Sequence, residues 1–145
     1  MNEVTFNKLN ENATLPTSPH EGDVGWDLVA SEDMVVLGGE TKVVPTGVSV
    51  TMPKGSMYGM VCSRSGLAAK NDVFVLNAPG IIDNGYEGEI KIILRNANRV
   101  TTFKVKKGDR IAQIVFGYAA AVNSKPMSSA SRSDGGLGSS GIGGH

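Results

Sequence analysis

The sequence predicts an all-β domain, a small distorted antiparallel barrel or jelly roll with one short helical turn. Three observations predict it. Eight runs of three to six residues rich in Val, Ile, Phe, Tyr and Thr recur along the chain,. Gly, Pro, Asn or Asp separates them, the residues that supply turn geometry. No long segment repeats its apolar residues at the helical period, so many short strands have to close on one another.

In chain order the strand runs are Val35–Leu37, Lys42–Val44, Gly47–Met52, Tyr58–Val61, Val73–Leu76, Glu89–Leu94, Thr101–Val105 and Ile111–Phe116. A helical turn is expected only over Ser65-Gly66-Leu67-Ala68-Ala69-Lys70, with Ser65 as its N-cap,. At 145 residues the length is that of one domain with its own core,. After about Ser124 large apolar side chains become scarce and Ser and Gly dominate. Residues 1–123 are therefore read as the barrel and 124–145 as a flexible arm, since such a segment cannot bury enough surface to offset its ordering entropy.

Composition narrows the function classes. Fourteen basic and fourteen acidic residues cancel, so no overall field draws the chain to nucleic acid or to an anionic membrane, and any anion site must be local,. The single Cys62 allows no intrachain disulfide and fits a reducing compartment,. With no apolar run of membrane-spanning length and no signal-peptide layout at the N-terminus, a soluble, cytoplasmic protein is expected. His20 and His145 stand apart from other ligand-type residues, which argues against a histidine metal site.

Five segments hold chemistry. In Ala78-Pro79-Gly80-Ile81-Ile82-Asp83-Asn84-Gly85-Tyr86-Glu87-Gly88-Glu89-Ile90 an Asn-Gly pair between apolar runs signals a type I′ hairpin,. Asp83 and Tyr86 would then be opposed cross-strand neighbours roughly 5 Å apart at Cβ. A carboxylate and a flat ring at a rigid tip could hold a water and a sugar side by side; the structural alternative is a turn-starting Asp and a packing Tyr. Gly22-Asp23-Val24-Gly25-Trp26-Asp27-Leu28 sets two carboxylates beside the only tryptophan. Cys62-Ser63-Arg64-Ser65-Gly66-Leu67-Ala68 combines a helix start with a planar guanidinium, both suited to phosphate,. In Lys106-Lys107-Gly108-Asp109-Arg110-Ile111-Ala112-Gln113, Gln113 is polar within an apolar strand and must face solvent, a hydrogen-bond partner or a ligand,. Arg110 reads as a structural partner for Asp109 or a neighbouring acid. In the arm, Arg132 precedes a glycine-rich run from Gly135 to Gly141, where backbone N–H groups can converge on an anion,.

Together and in order, these segments closely resemble those of the trimeric deoxyuridine triphosphate nucleotidohydrolases, the dUTPases. The matching blocks are Gly25–Leu28, Arg64–Ala68, Gly80–Ile90, Gly108–Gln113 and Arg132–Ser139, so the resemblance spans nearly the whole chain. It implies a barrel of the dUTPase type that hydrolyses dUTP to dUMP and pyrophosphate, and a homotrimer with shared active sites. Asp83 would be the general base, and Tyr86 would pack on the deoxyribose and exclude a 2′-hydroxyl. Backbone around Asn77, Gly80, Ile81, Ile82 and Lys91 would read uracil. Arg64, Ser65, Gly66 and Gln113 would hold the triphosphate, with Asp27 supporting Mg2+ through its water shell. Arg132, Leu137, Gly138 and Ser139 would close over the nucleotide.

Three positions depart from the family pattern: Leu137 replaces an aromatic, Ser63 a proline, and Gly85 an aspartate. Two other readings stay open on the same fold. One is a dCTP deaminase, alone or bifunctional, for which Glu87 and Glu89 are the local acids. The other is a dUTP-gated trimer that binds another protein. A sugar-binding jelly roll has little aromatic platform with Trp26 alone.

Overall fold

A computed structural model of the chain describes residues 3–17 and 19–127. Its strands are β1 (Thr5–Lys8), β2 (Trp26–Val29), β3 (Met34–Val36), β4 (Thr41–Pro45), β5 (Val48–Thr51), β6 (Met57–Cys62), β7 (Val73–Val75), β8 (Gly80–Ile82), β9 (Lys91–Asn96), β10 (Phe103–Val105) and β11 (Arg110–Tyr118). The helix α1 covers Ser65–Asn71.

Among the described residues every strand pairing is antiparallel. The largest sheet runs β2-β11-β6-β8, a second runs β4-β9-β7, and two ribbons pair β1 with β5 and β3 with β10. Nine of the strands offer apolar side chains to one interior: Leu28, Val36, Val44, Val50, Val61, Val75, Ile92, Leu94, Val105, Ile111 and Ile114 share a single cluster. The distorted antiparallel barrel expected from the strand pattern is the fold observed.

The boundaries differ from the sequence reading where hydrogen bonds leave the ladder. β1, β2 and β8 lie outside the eight runs read as strands; β1 has Phe6 as its only large apolar residue, and its strand character comes from pairing with β5. Glu89 and Ile90 precede β9 rather than opening it, because Glu89 Oε2 accepts the Gly47 N–H and Ile90 N–H donates to the Val48 carbonyl. Thr101 likewise stands outside β10, its carbonyl accepting from Asn96 Nδ2 at 2.8 Å. Phe6 also packs on Trp26 and Phe116, with ring centroids 5.8 and 6.0 Å away.

Two local predictions are corrected. Arg64, not Ser65, is the N-cap of α1: it has extended backbone (φ −91°, ψ 128°), and no side chain caps the helix. Ser65 is already the first helical residue. The Asn84-Gly85 turn exists, closed by Tyr86 N–H donating to the Asp83 carbonyl at 3.0 Å. It is not type I′, since Gly85 has φ 99° while Asn84 is not in the left-handed region. A positive φ at the second central residue alone is the type II requirement. Nor do the arms pair with each other: β8 pairs with β6, and β9 with β4 and β7.

Candidate active site

β11 organises the first half of the site. Its register pairs Gln113 with Asp27 of β2 on one side and with Cys62 of β6 on the other. Side chains alternate along a strand, so Arg110 and Gln113 would ordinarily point to opposite faces. The register slips between Arg110 and Ala112, leaving Ile111 as an extra residue. Such a bulge inverts the alternation beyond it. Arg110 and Gln113 consequently line the same cleft, about 530 Å³ in volume, together with Asp27, Asp23, His20 and Gly25.

Asp27 sits between two guanidiniums. Its Oδ1 lies 3.3 Å from Arg64 Nε and its Oδ2 3.7 Å from Arg110 Nη1. Arg64 Nη1 also donates to the Arg110 carbonyl at 3.2 Å. These groups remain partly exposed, where ion pairs add little stability, so the cluster fixes orientation more than it stabilises the fold. Arg110 is the structural partner of an acid, as its sequence suggested, and that acid is Asp27; Asp109 instead accepts the Lys106 N–H.

Gln113 Nε2 donates to the Ser63 carbonyl at 2.9 Å, and Ser63 Oγ accepts the Val75 N–H at 2.9 Å. Ser63 thus ties the segment before Arg64 to both β11 and β7, a role its identity as a proline replacement did not suggest. Gly25 is needed on the far side. A Cβ there would collide with Gln113 Oε1 and lie 3.0 Å from its Cδ. Ser65 and Gly66 open α1 beside Arg64, both exposed, and a Cβ on Gly66 would meet only open space.

The second half is a pocket of about 400 Å³ lined by Ile81, Ile82, Asp83, Tyr86, Glu89, Ile90 and Lys91. Asp83 follows β8 directly, with its side chain exposed. Tyr86 folds back so that its hydroxyl donates to the Glu89 carbonyl at 3.0 Å. The hydroxyl end of the ring lies close against Gly88, where a Cβ would stand 2.5 Å from Oη and 2.7 Å from Cζ. Asn77 packs against the buried Gly80 of β8: its Nδ2 would be 3.0 Å from a Cβ there.

The structure therefore gathers the candidates into two groups. Asp27 and Gln113 line one cleft, with Arg64 ion-paired to Asp27; Ile81, Ile82, Asp83, Tyr86 and Lys91 line another. In the single chain these are separate pockets. Arg132, Leu137, Gly138 and Ser139 lie outside the described residues. Sequence reasoning missed the placement of Asp23 and His20 on the wall of the first cleft. The motif around Gly25 was the signal, because a glycine beside Asp27 implies a close neighbour.

A β-barrel that carries a cleft with paired arginines and a second pocket with a carboxylate and a tyrosine offers concave polar sites of the kind enzymes use,. The comparisons make that specific. A family model described as dUTPase matches residues 11–141. The chain is 43% identical over 141 residues to the deoxyuridine 5′-triphosphate nucleotidohydrolase of Thermobifida fusca (strain YX), covering 95% of this chain and 78% of that protein. It is 42% identical over 145 residues to the protein of that name from Clostridioides difficile, covering 98% and 100%. Among solved structures it is similar to the dUTPase of Staphylococcus bacteriophage 80alpha with dUPNHPP, at a TM-score of 0.80 and 27% identity over 98% of this chain and 100% of that one. A mutant dUTPase from phage phi11 of S. aureus, in which a structural Mg(II) ion is coordinated, matches at a TM-score of 0.78 and 27% identity over 87% and 97%. The chain belongs to the dUTPase family, a family of enzymes.

The donor set bears on the metal. Among the described residues no three His, Cys, Asp or Glu side chains gather to hold an ion. Both oxygens of Asp27 face guanidiniums. That chemistry fits Mg2+ held by phosphate oxygens and waters, with Asp27 at most an outer partner. No described helix is long and apolar enough to cross a membrane.

Proposed function

We propose that this chain hydrolyses dUTP to dUMP and pyrophosphate by attack of water on the α-phosphorus. The observation that supports it best is the pocket shared by Asp83, Tyr86 and Lys91, of a size suited to a nucleoside,. Asp83 is the general base. Exposed beside that pocket, its carboxylate accepts a proton from the attacking water as the oxygen bonds to phosphorus and the bond to the pyrophosphate oxygen breaks. A positioned base of this kind contributes about 10²–10⁴-fold.

Tyr86 reads the sugar. Its ring is held by Glu89 and Gly88 and leaves no space for a 2′-hydroxyl. Free backbone groups on the outer edge of β8, with Asn77 and Lys91 nearby, match the uracil edge. Cytosine presents the reverse donor pattern and leaves buried groups unpaired, which discriminates strongly. Arg64, Gln113 and the backbone of Ser65 and Gly66 grip the triphosphate, and Asp27 keeps Arg64 in place. Bound Mg2+ would neutralise phosphate charge, seated on the triphosphate with Asp27 facing its water shell. Arg132, Leu137, Gly138 and Ser139 close the arm over the phosphates.

The two pockets are separate within one chain, which supports a homotrimer whose active sites draw each half from a different subunit. Cytoplasmic nucleotide metabolism, keeping uracil out of DNA, is the setting that follows. The deaminase reading loses ground on one observation: the Glu89 carboxylate already accepts the Gly47 N–H at 2.9 Å. Glu87 alone remains exposed.

Pyrophosphate release measured with dUTP, dCTP, dTTP and UTP in the presence of magnesium tests the substrate. Activity confined to dUTP is expected, and ammonia from dCTP would move the assignment to the deaminase. Asp83→Asn is expected to bind dUPNHPP normally while kcat falls about 10²–10⁴-fold. Near-parental kcat would remove Asp83 from the base role.

A further inference from the structure

Asn84 has no conformational reason to be an asparagine, since its backbone is not left-handed. Its side chain supplies the reason. Nδ2 donates to the Pro53 carbonyl at 2.8 Å and to the Met57 carbonyl at 3.0 Å. A primary amide carries two N–H donors, so each is used once. Because both partners are acceptors, the network also fixes which end of the amide is nitrogen.

The two carbonyls belong to the two ends of the loop between β5 and β6. Met57 is the first residue of β6, the strand that pairs with β8 from Gly59↔Ile82 to Val61↔Gly80. Asp83 is therefore flanked on one side by Ile82, fixed in the ladder to β6, and on the other by Asn84, tied to the start of β6 and to Pro53. The Asp83 carboxylate makes no hydrogen bond or ion pair with any described residue. Its position depends on the backbone on either side.

We infer that Asn84 is a positioning residue for the reaction: its amide, by clamping the β5–β6 loop, holds the turn tip so that the Asp83 carboxylate meets the attacking water. This rests on Asp83 as the base. The amide touches neither substrate nor reacting atoms and acts only through its neighbour. A carboxylate with no hydrogen bond or ion pair of its own to a described residue gains most from such a clamp, since displacements of about 1 Å can reduce turnover about 10²-fold.

Asn84→Ala and Asn84→Asp remove the donors, and the second also sets negative charge against two carbonyl oxygens. Steady-state kinetics with dUTP should show kcat down about 10- to 100-fold with KM changed less than about threefold. In an Asp83→Asn background, Asn84→Ala should add little further loss, because the group it positions is gone. Parental kcat in folded Asn84→Ala overturns the inference and leaves the role of Asp83 intact. So do losses that multiply in the double variant, which would mark a general structural effect. Parental kcat in Asp83→Asn alone overturns the base assignment instead. If either Asn84 variant shows no cooperative melting, Asn84→Gln, which keeps an amide one methylene farther out, carries the same kinetic comparison.

Discussion

Gly88→Ala isolates the ring proposed to read the sugar from everything else in the site. A Cβ at residue 88 would stand 2.5 Å from Tyr86 Oη, 2.7 Å from Cζ and 3.1 Å from Cε1. Non-bonded carbons prefer about 3.5–4.0 Å, so the ring has to retreat by about an ångström. Tyr86 is 46% exposed and can swing toward solvent. In doing so it loses the hydrogen bond to the Glu89 carbonyl, worth about 0.5–1.5 kcal/mol net. The backbone of Gly88 is not in the left-handed region, so alanine brings no strain and stiffens the unfolded chain by about 0.4–1 kcal/mol,. The two terms nearly cancel, and the melting temperature should move by less than about 4 °C. Selectivity should move far more. The ratio of kcat/KM for dUTP to that for UTP is expected to fall at least about tenfold, given how steeply turnover depends on placement. Steady-state assays on both nucleotides, with calorimetry as the control, measure it. A ratio unchanged in a folded variant would refute the claim that the ring against Gly88 excludes the 2′-hydroxyl.

Three further outcomes follow from other parts of the molecule. Gly25→Ala drives a methyl into the Gln113 amide and breaks its bond to Ser63, so kcat/KM for dUTP should drop about tenfold while far-UV circular dichroism is kept,. Ile92→Ala empties a fully buried site on β9 and should cost about 2–5 kcal/mol by denaturant titration, with the active site left alone,. Ending the chain after Met127 should preserve the melting temperature and abolish most dUTP turnover, because the proposed closing residues Arg132 to Ser139 are lost; full turnover in that variant would dismiss the arm.

Much of the molecule was legible in the chain itself. Short β-branched and aromatic runs bounded by turn residues, such as Ile92–Leu94 and Phe103–Val105, mark strands that share a common core,. The five motif blocks, in order, resemble those of the dUTPases, and that resemblance pointed to the family. Local chemistry determined these features. What it did not determine depends on partners far away in sequence. Asn84-Gly85 looked like a self-contained hairpin, yet Ile82 pairs with Gly59 and the Asn84 amide binds Pro53 and Met57. The bulge at Ile111 is invisible until β2 lies beside β11, and it alone brings Arg110 to the side of Gln113 and Asp27. Strand pairing and side-chain clamps are long-range contacts, selected by the packing of the whole barrel, so only the tertiary structure decided which neighbours aim the functional groups.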